Sequence, residues 1–303
     1  MRKLVFLIAL MTLVILACNN KPRDTKKYFV SILPQKYFVE RVVGDMFEIN
    51  VLVKPGESPA TYEPTAKQMI GLSKTKALFT IGVAFEENII PNLNQQYPDL
   101  KIINTDKNIA KHRPSPFEEL FVEKEDHHQH KSDNEGHHHH DGYDPHIWLS
   151  PELVKVQVNN IADYFISAYP EQTTTFENNR DTFLADLDEV SFEIKKIFAN
   201  VTNREFLCFH PAWGYFADEF DLRQIPIEIE GKEPTPREQK KIIEYAKDRE
   251  IKFIFVQAQF DQRIAASVAN EIGGSVINID PLAEDYLSNL KNIASKLAES
   301  MEK

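Results

Sequence analysis

Two histidines and one aspartate lie at the ends of predicted elements, where side chains can converge on a ligand. His146 precedes a predicted helix start, and His210 and Asp280 each follow a predicted β-strand. Ligands of open α/β sheets bind beyond the carboxyl ends of the strands, so a site is expected at these positions. Two imidazoles and a carboxylate suit a borderline divalent metal ion. The alternatives are plain hydrogen-bonding histidines and an aspartate that forms a turn before proline.

Most of the other histidines lie in one polar segment, residues 118–142, which carries a separate metal-binding signal. They are His127, His128, His130, His137, His138, His139 and His140. The surrounding stretch 107–144 has no hydrophobic period and fits neither predicted sheet, so it is interpreted as a long, largely disordered insertion. Its histidines and carboxylates favour weak, multi-site collection of metal cations over an inert insertion.

The first residues predict export and a membrane anchor. A basic start precedes the apolar run 4–17, which has signal-peptide length and is too short to span a bilayer. The run ends in ILAC, which is similar to a lipobox, so residues 1–17 are predicted to be cleaved and Cys18 to be lipidated. Residues 18–27 then form a polar tether. A plain secretory signal with a chance cysteine is the alternative.

Bulk composition limits the function classes. The chain has 303 residues and a net charge of −11, which allows two domains and argues against a nucleic-acid binder. It contains two cysteines. If Cys18 carries lipid, Cys208 has no intrachain disulfide partner and is expected to be a small core residue.

Strand-like and helix-like segments alternate in two sets, which predicts parallel sheets covered on both faces. The strand-like runs are 28–33, 47–53, 77–82 and 101–105, then 205–209, 225–229, 251–257 and 275–279. The helical stretches are 35–44, 65–73, 85–95, 212–220, 236–249, 261–272 and 282–301. Between the sets, Ser150 and Pro151 open one helix, and apolar residues spaced by seven, four and three predict a long helix over 171–200.

The predicted fold class is therefore α/β, with two four-stranded parallel-sheet lobes joined by a long connecting helix. The N-terminal lobe is assigned to residues 28–150, the connecting helices to 151–203 and the C-terminal lobe to 204–303. A metal cleft is expected between the lobes, because His146 closes the first lobe while His210 and Asp280 belong to the second.

Several motifs occur in order along nearly the whole mature chain. They read VLVKPGESPATYEPTAKQM, DPHIWLSP, FHPAWGYFADEF, IEIEGKEPTPRE and FVQAQFDQRIAASVANEIGGSVINIDPLAEDY. On these motifs the chain resembles the zinc- and manganese-binding solute-binding lipoproteins of bacterial ABC metal importers. The resemblance implies two α/β lobes joined by a long helix, with His146, His210 and Asp280 as metal ligands between them. Histidine at the position of His210 goes with zinc more often than with manganese in this family.

The resemblance also implies a setting and partners. The protein is expected at the periplasmic or extracellular face of a bacterial membrane, as a lipid-anchored monomer that serves an ABC permease with its ATPase. No nucleic acid and no enzymatic activity are expected. The alternatives are a manganese- or iron-selective binder of the same fold, a non-transport metal scavenger, and a zinc hydrolase that uses an open coordination position.

The first motif departs from the family pattern. Ala60 stands where the family has its first histidine ligand, so three protein ligands are expected. Water or a histidine of the 118–142 segment ranks first as the fourth ligand, and the carboxylates and phenol of the same motif follow. Those candidates are Glu57, Tyr62 and Glu63. Glu228 and Glu230 lie in a later motif, where a loop contact near the cleft or with the transporter is one interpretation, and a polar strand face followed by a helix start is at least as well supported.

Overall fold

The computed structural model describes residues 26–113, 142–228 and 231–302. The predicted signal peptide, Cys18, Glu230 and the seven histidines of the 118–142 segment lie outside these ranges. Over the described ranges, no helix has the length and apolar character needed to cross a bilayer.

The first lobe is a parallel sheet of four strands with helices between them. Its strands are β1 (Lys27–Val30), β2 (Glu48–Val51), β3 (Ala77–Thr80) and β4 (Lys101–Asn104). Its helices are α1 (Leu33–Val43), α2 (Ala66–Leu72) and α3 (Ala84–Gln96). The strand order is β2-β1-β3-β4, and all three pairings are parallel. The polypeptide therefore crosses over through a helix between strands, as the alternating sequence pattern predicts.

Two helices connect the lobes. The helix α4 (Pro151–Ala168) begins at Ser150, whose side chain accepts a hydrogen bond from the Leu153 backbone, with proline at the first helical position. A 3₁₀ turn at Pro170–Gln172 separates it from α5 (Thr173–Ile197), which is 25 residues long. The helix predicted over 171–200 is thus shorter at both ends, and its length is about 37 Å at 1.5 Å per residue.

The second lobe repeats the arrangement of the first. Its strands are β5 (Glu205–Cys208), β6 (Arg223–Pro226), β7 (Phe253–Val256) and β8 (Ser275–Asn278), in the order β6-β5-β7-β8. Its helices are α6 (Gly214–Glu219), α7 (Pro236–Asp248), α8 (Gln262–Glu271) and α9 (Tyr286–Met301). Every strand pairing is again parallel. The predicted α/β class with two four-stranded lobes and a connecting helix is confirmed.

Two element positions differ from the sequence prediction. The strand predicted at 225–229 lies at Arg223–Pro226, because its pairing with β5 ends at Pro226 and the apolar run continues into the following loop. The helix predicted over 282–301 begins at Tyr286, because residues 281 and 282 form a turn and residues 284 and 285 a bend after Asp280. In both places, the apolar residues extend beyond the bounds of the regular strand or helix.

One hydrophobic cluster runs through both lobes. It joins Phe38 and Phe79 of the first lobe to Phe183 on α5 and to Trp213 and Tyr286 of the second. Helix α5 packs against α1 on one side and α9 on the other. A continuous buried core of this kind holds the lobes as one unit, unlike a flexible linker. The outer face of the second sheet has a separate cluster under α7 and α8.

Glu86 is a buried carboxyl in the first turn of α3. Its oxygens accept hydrogen bonds from the Ser31 hydroxyl, from the Ile81 N–H at 3.0 Å and from the Gly82 N–H at 2.7 Å. Burial nevertheless dominates these bonds and raises the pKa of Glu86 to about 7. The carboxyl ties the loop after β3 to the end of β1.

We predict that Glu86→Gln removes part of the pH dependence of stability. The folded protein keeps a proton on Glu86 up to about pH 7, whereas the unfolded chain releases it near 4.5. This contribution is therefore fully present below pH 4.5 and is lost as the pH rises through 7. Between pH 5 and 8, the unfolding free energy of the wild type should fall by up to about 3 kcal/mol more than that of the variant. Denaturant unfolding at both pH values measures this difference.

A glutamine fits the same hydrogen bonds, since its oxygen can accept from the Ile81 and Gly82 N–H groups and its amide can donate to Ser31. The control is Glu87→Gln, which alters the exposed neighbouring carboxylate and should leave the wild-type pH dependence in place. Equal pH slopes for Glu86→Gln and wild type would contradict the buried-proton interpretation.

Candidate metal centre

His146 is held by a carboxylate two residues earlier. The residue caps a 3₁₀ turn at Ile147–Leu149, and its backbone N–H donates to the Asp144 carboxylate at 2.9 Å. The imidazole Nδ1 lies 2.7 Å from the same Asp144 oxygen. With Nδ1 donating to the carboxylate, the lone pair of the neutral ring is on Nε2, which is the form that binds a metal ion.

His210 has the same kind of support. It follows β5, and its Nδ1 lies 2.5 Å from the carboxylate of Glu228, which is buried just beyond β6. The ring of Phe260 stacks on the imidazole at 4.7 Å between centroids. Burial lowers the pKa of His210, and the nearby His146 ring adds to this effect against the opposing Glu228 carboxylate. Burial therefore favours the neutral imidazole, which is the form that binds a metal ion.

The two imidazoles come together although they are 64 positions apart in the chain. Their ring centroids are 5.3 Å apart, at an interplanar angle of 73°. A carboxylate behind the Nδ1 of each ring is the arrangement that orients histidine ligands at zinc sites. The pair can therefore supply two imidazole nitrogens to one borderline divalent cation.

Sequence reasoning did not assign either supporting carboxylate. Asp144 is the first residue of the DPHIWLSP motif, but the motif alone does not predict that its carboxylate contacts His146. The sequence alone allows both a contact of Glu228 near the cleft or with the transporter and a polar strand face, and the structure places Glu228 against His210. The sequence feature that could identify Asp144 is its position two residues before His146. An aspartate in a turn often accepts a hydrogen bond from the backbone N–H two residues later, as Asp144 does here.

Asp280 is an exposed residue directly before the buried turn residues Pro281 and Leu282, which follow β8. Its carboxylate accepts the Leu282 N–H at 2.9 Å, and its backbone carbonyl accepts from the side chain of Asn289 at 2.7 Å. The next carbonyl, that of Pro281, accepts the indole N–H of Trp148 at 2.8 Å. Within the described ranges, no three His, Cys, Asp or Glu side chains are grouped closely enough to hold a metal ion. The structure thus brings the two histidines together and ties the Asp280 turn to the turn of His146.

The other candidate ligands belong to the loop before α2. The Glu57 carboxylate accepts the Lys54 backbone N–H at 2.8 Å, and the Tyr62 hydroxyl donates to Gln68 at 2.7 Å. Glu63 and Ala60 are exposed. Among the described residues, no hydrogen bond or ion pair joins Glu57, Tyr62 or Glu63 to either imidazole.

Tyr215 on α6 supports the segment that carries His146. Its hydroxyl donates to the Asp144 carbonyl at 2.9 Å and accepts the His112 N–H at 3.1 Å. The Asp144 N–H in turn donates to the His112 carbonyl at 2.9 Å, and the His112 ring lies 3.9 Å from the Tyr215 ring. Residues 112 and 144 are therefore held side by side on the second lobe, and Asp144 is fixed behind His146.

Gly214 leaves the space that the Asp144 carboxylate occupies. A Cβ at this position would lie 2.8 Å from Asp144 Oδ2 and 3.3 Å from the side chain of Gln224. We predict that Gly214→Ala lowers the unfolding free energy by about 1–3 kcal/mol, because the buried carboxylate must shift. Denaturant unfolding measures the loss.

The control for Gly214→Ala is the same substitution in an Asp144→Ala background. Without the carboxylate, the added methyl group has room and its cost should largely disappear. An equal cost in both backgrounds would mean that the glycine is needed for another reason.

A family model for the periplasmic component A of the zinc-uptake complex matches residues 29–300. The chain is 27% identical to the zinc-binding lipoprotein AdcA of Streptococcus pneumoniae over 290 residues, which cover 93% of this chain and 56% of AdcA. It therefore spans little more than half the length of that relative. It is 26% identical to the high-affinity zinc uptake system protein ZnuA of Bacillus subtilis, over 88% of this chain and 84% of that protein.

Solved structures agree with the fold. A crystal structure of ZnuA superimposes with a TM-score of 0.81 at 36% identity, over 92% of this chain and all of that one. A deletion mutant of ZnuA with zinc bound gives a TM-score of 0.80 at 36% identity, over 91% and 98% of the two chains. The laminin-binding protein Lmb of Streptococcus agalactiae shares the fold, with a TM-score of 0.77 at 20% identity over 92% of this chain and 100% of that one.

Proposed function

The chain belongs to the family of the periplasmic component A of zinc-uptake complexes, and from that premise we propose that it captures zinc outside the cytoplasm and delivers it to an ABC permease with its ATPase. The observation that carries this proposal is the pair of imidazoles, 5.3 Å apart, each with a carboxylate at Nδ1. The names of the relatives AdcA and ZnuA, both zinc proteins, support the choice of metal.

His146 and His210 act in this proposal as zinc ligands through Nε2, and Asp280 supplies the third protein ligand. Two neutral nitrogens and one carboxylate oxygen match the ligand preferences of zinc, and manganese is the less favoured cargo because it prefers oxygen-rich sites. Asp144 and Glu228 are the supporting residues that fix ring orientation and increase ligand basicity. The ion is bound and released unchanged, so no catalytic step is proposed.

Ala60 leaves the fourth coordination position without the family's histidine. Water or a histidine of the 118–142 segment remains our first choice for this position, because Glu57 and Tyr62 already make hydrogen bonds within their own loop. Glu63 is the remaining candidate in that loop. An open position also permits exchange of the ion, which a delivery protein requires.

The setting is part of the same proposal. Cleavage after residue 17 would leave Cys18 as the lipidated N-terminus, with residues 18–27 as the tether. The ILAC sequence and the lipoprotein name of the relative AdcA support this. We further propose that a monomer carries the site between an N-terminal lobe at 28–150 and a C-terminal lobe at 204–303, joined by 151–203.

We predict that His210→Ala abolishes tight zinc binding, whereas Glu228→Gln weakens it by about 10- to 100-fold. The alanine removes a ligand, while glutamine leaves the ligand but removes the charge behind Nδ1. Competition with a chromophoric zinc chelator measures both affinities on the full chain. Circular dichroism and thermal unfolding confirm that each variant is folded. Unchanged affinity in His210→Ala would overturn the assignment of the site.

We predict that Ala60→His tightens zinc binding, on the order of tenfold or more, because it restores a fourth protein ligand. Ala60→Gln is the matched control, since it adds a polar side chain of similar length without an imidazole. The same chelator competition compares the two variants. If histidine and glutamine have the same effect, position 60 does not face the metal.

A further inference from the structure

We propose that Trp148 is a positioning residue, which holds the Asp280 turn against the His146 turn and so sets the separation of two zinc ligands. This role rests on the proposed function. It is carried by one hydrogen bond, from the indole Nε1–H of Trp148 to the Pro281 carbonyl at 2.8 Å. The bond lies two residues from one proposed ligand and one residue from the other.

The Trp148 side chain has little freedom to move. It is 1% exposed, and its neighbours in the 3₁₀ turn, Ile147 and Leu149, are buried as well. Its ring centroid lies 5.1 Å from that of the His146 imidazole, at an interplanar angle of 55°. The indole therefore lies beside the ligand ring, and its N–H donates to the turn that carries Asp280.

The Asp280 turn is held at two points. The Asn289 side chain on α9 donates to the Asp280 carbonyl at 2.7 Å, which fixes the turn to its own lobe. Trp148 fixes the next carbonyl to the segment that closes the first lobe. Because the Asp280 side chain is exposed, the position of its carboxylate follows that of the turn, which the buried Ile279 and Leu282 also hold, and the Trp148 bond joins that turn to the turn of His146.

The indole fulfils both requirements at this position, since its ring lies beside His146 and its N–H donates to the Pro281 carbonyl. A phenylalanine would keep an aromatic ring beside His146 but would leave the Pro281 carbonyl without its donor. A buried carbonyl that loses its partner moves toward another donor or toward water, and the Asp280 turn would move with it. Groups that orient metal ligands from behind typically change metal affinity by 10- to 100-fold when they are removed.

The second tryptophan of the chain provides a matched control. Trp213 follows His210 by three residues and is fully buried, as Trp148 is. Its indole nitrogen has no hydrogen-bond partner among the described residues. Loss of that N–H should therefore cost little in zinc affinity, although the change in ring size is the same and each tryptophan follows a ligand within three residues in the sequence.

The experiment compares Trp148→Phe and Trp213→Phe on the full chain by chelator competition with zinc. We expect Trp148→Phe to weaken binding by about tenfold and Trp213→Phe to leave it within about twofold of wild type. Both substitutions are repeated in an Asp280→Asn background. If Trp148 acts through Asp280, Trp148→Phe should not weaken zinc binding further in that background. A merely structural contribution would lower the zinc affinity there by the same factor as in the wild type.

A second measurement on the wild type does not depend on the variants folding. Coupling between sites is reciprocal, so zinc must stabilise the Trp148 hydrogen bond as much as that bond stabilises zinc binding. Hydrogen exchange of the two indole N–H groups, followed by NMR with and without zinc, should show about tenfold stronger protection for Trp148 than for Trp213 on zinc addition. Equal protection would overturn the proposal.

The outcomes separate this role from the function on which it rests. A wild-type chain without zinc affinity overturns both. A wild-type chain that binds zinc, together with Trp148→Phe of equal affinity or with fully additive losses in the Asp280→Asn background, overturns only the role of Trp148.

Discussion

The candidate centre depends on the carboxylate that lies behind each imidazole. Asp144 and Glu228 hold the Nδ1 atoms of His146 and His210 at 2.7 and 2.5 Å. Without them, two neighbouring rings in a buried setting would have no fixed orientation and no preferred tautomer. Both carboxylates are themselves almost fully buried, which makes their bonds to the rings strong and the cost of losing either ring high. The rest of the architecture serves to keep these two pairs in place.

Parallel sheets account for how such distant residues meet. His210 and Glu228 follow the neighbouring strands β5 and β6, so the carboxyl edge of the second sheet brings them together. Asp144 and His146 reach the same edge through a contact between segments. The hydroxyl of Tyr215 on α6 donates a hydrogen bond to the Asp144 carbonyl, in the segment before α4. The continuous core through α5 then keeps this edge at a constant distance from the first lobe.

Much of this could be predicted from the sequence, for identifiable reasons. Strand and helix alternation has a strong hydrophobic period, and the fold class followed from it. His210 was identifiable because a polar residue directly after a strand marks the carboxyl edge of a sheet. The strand at Arg223–Pro226 was misplaced by two residues because apolar residues continue beyond it, and Glu228 lies in that continuation. Asp144, Tyr215 and the Trp148–Pro281 bond were not predicted, since each depends on contacts between segments far apart in the chain.

The proposed ligands are distributed over three separate segments, and this has a consequence for how the ion is held. His146 closes the first lobe, His210 follows β5, and Asp280 follows β8. The imidazoles already meet, so binding by them requires little rearrangement, whereas the exposed Asp280 carboxylate accepts the Leu282 N–H of its own turn and depends on the position of that turn. The free energy of zinc binding is then linked to the contacts that join these segments, above all the bond from Trp148 to Pro281.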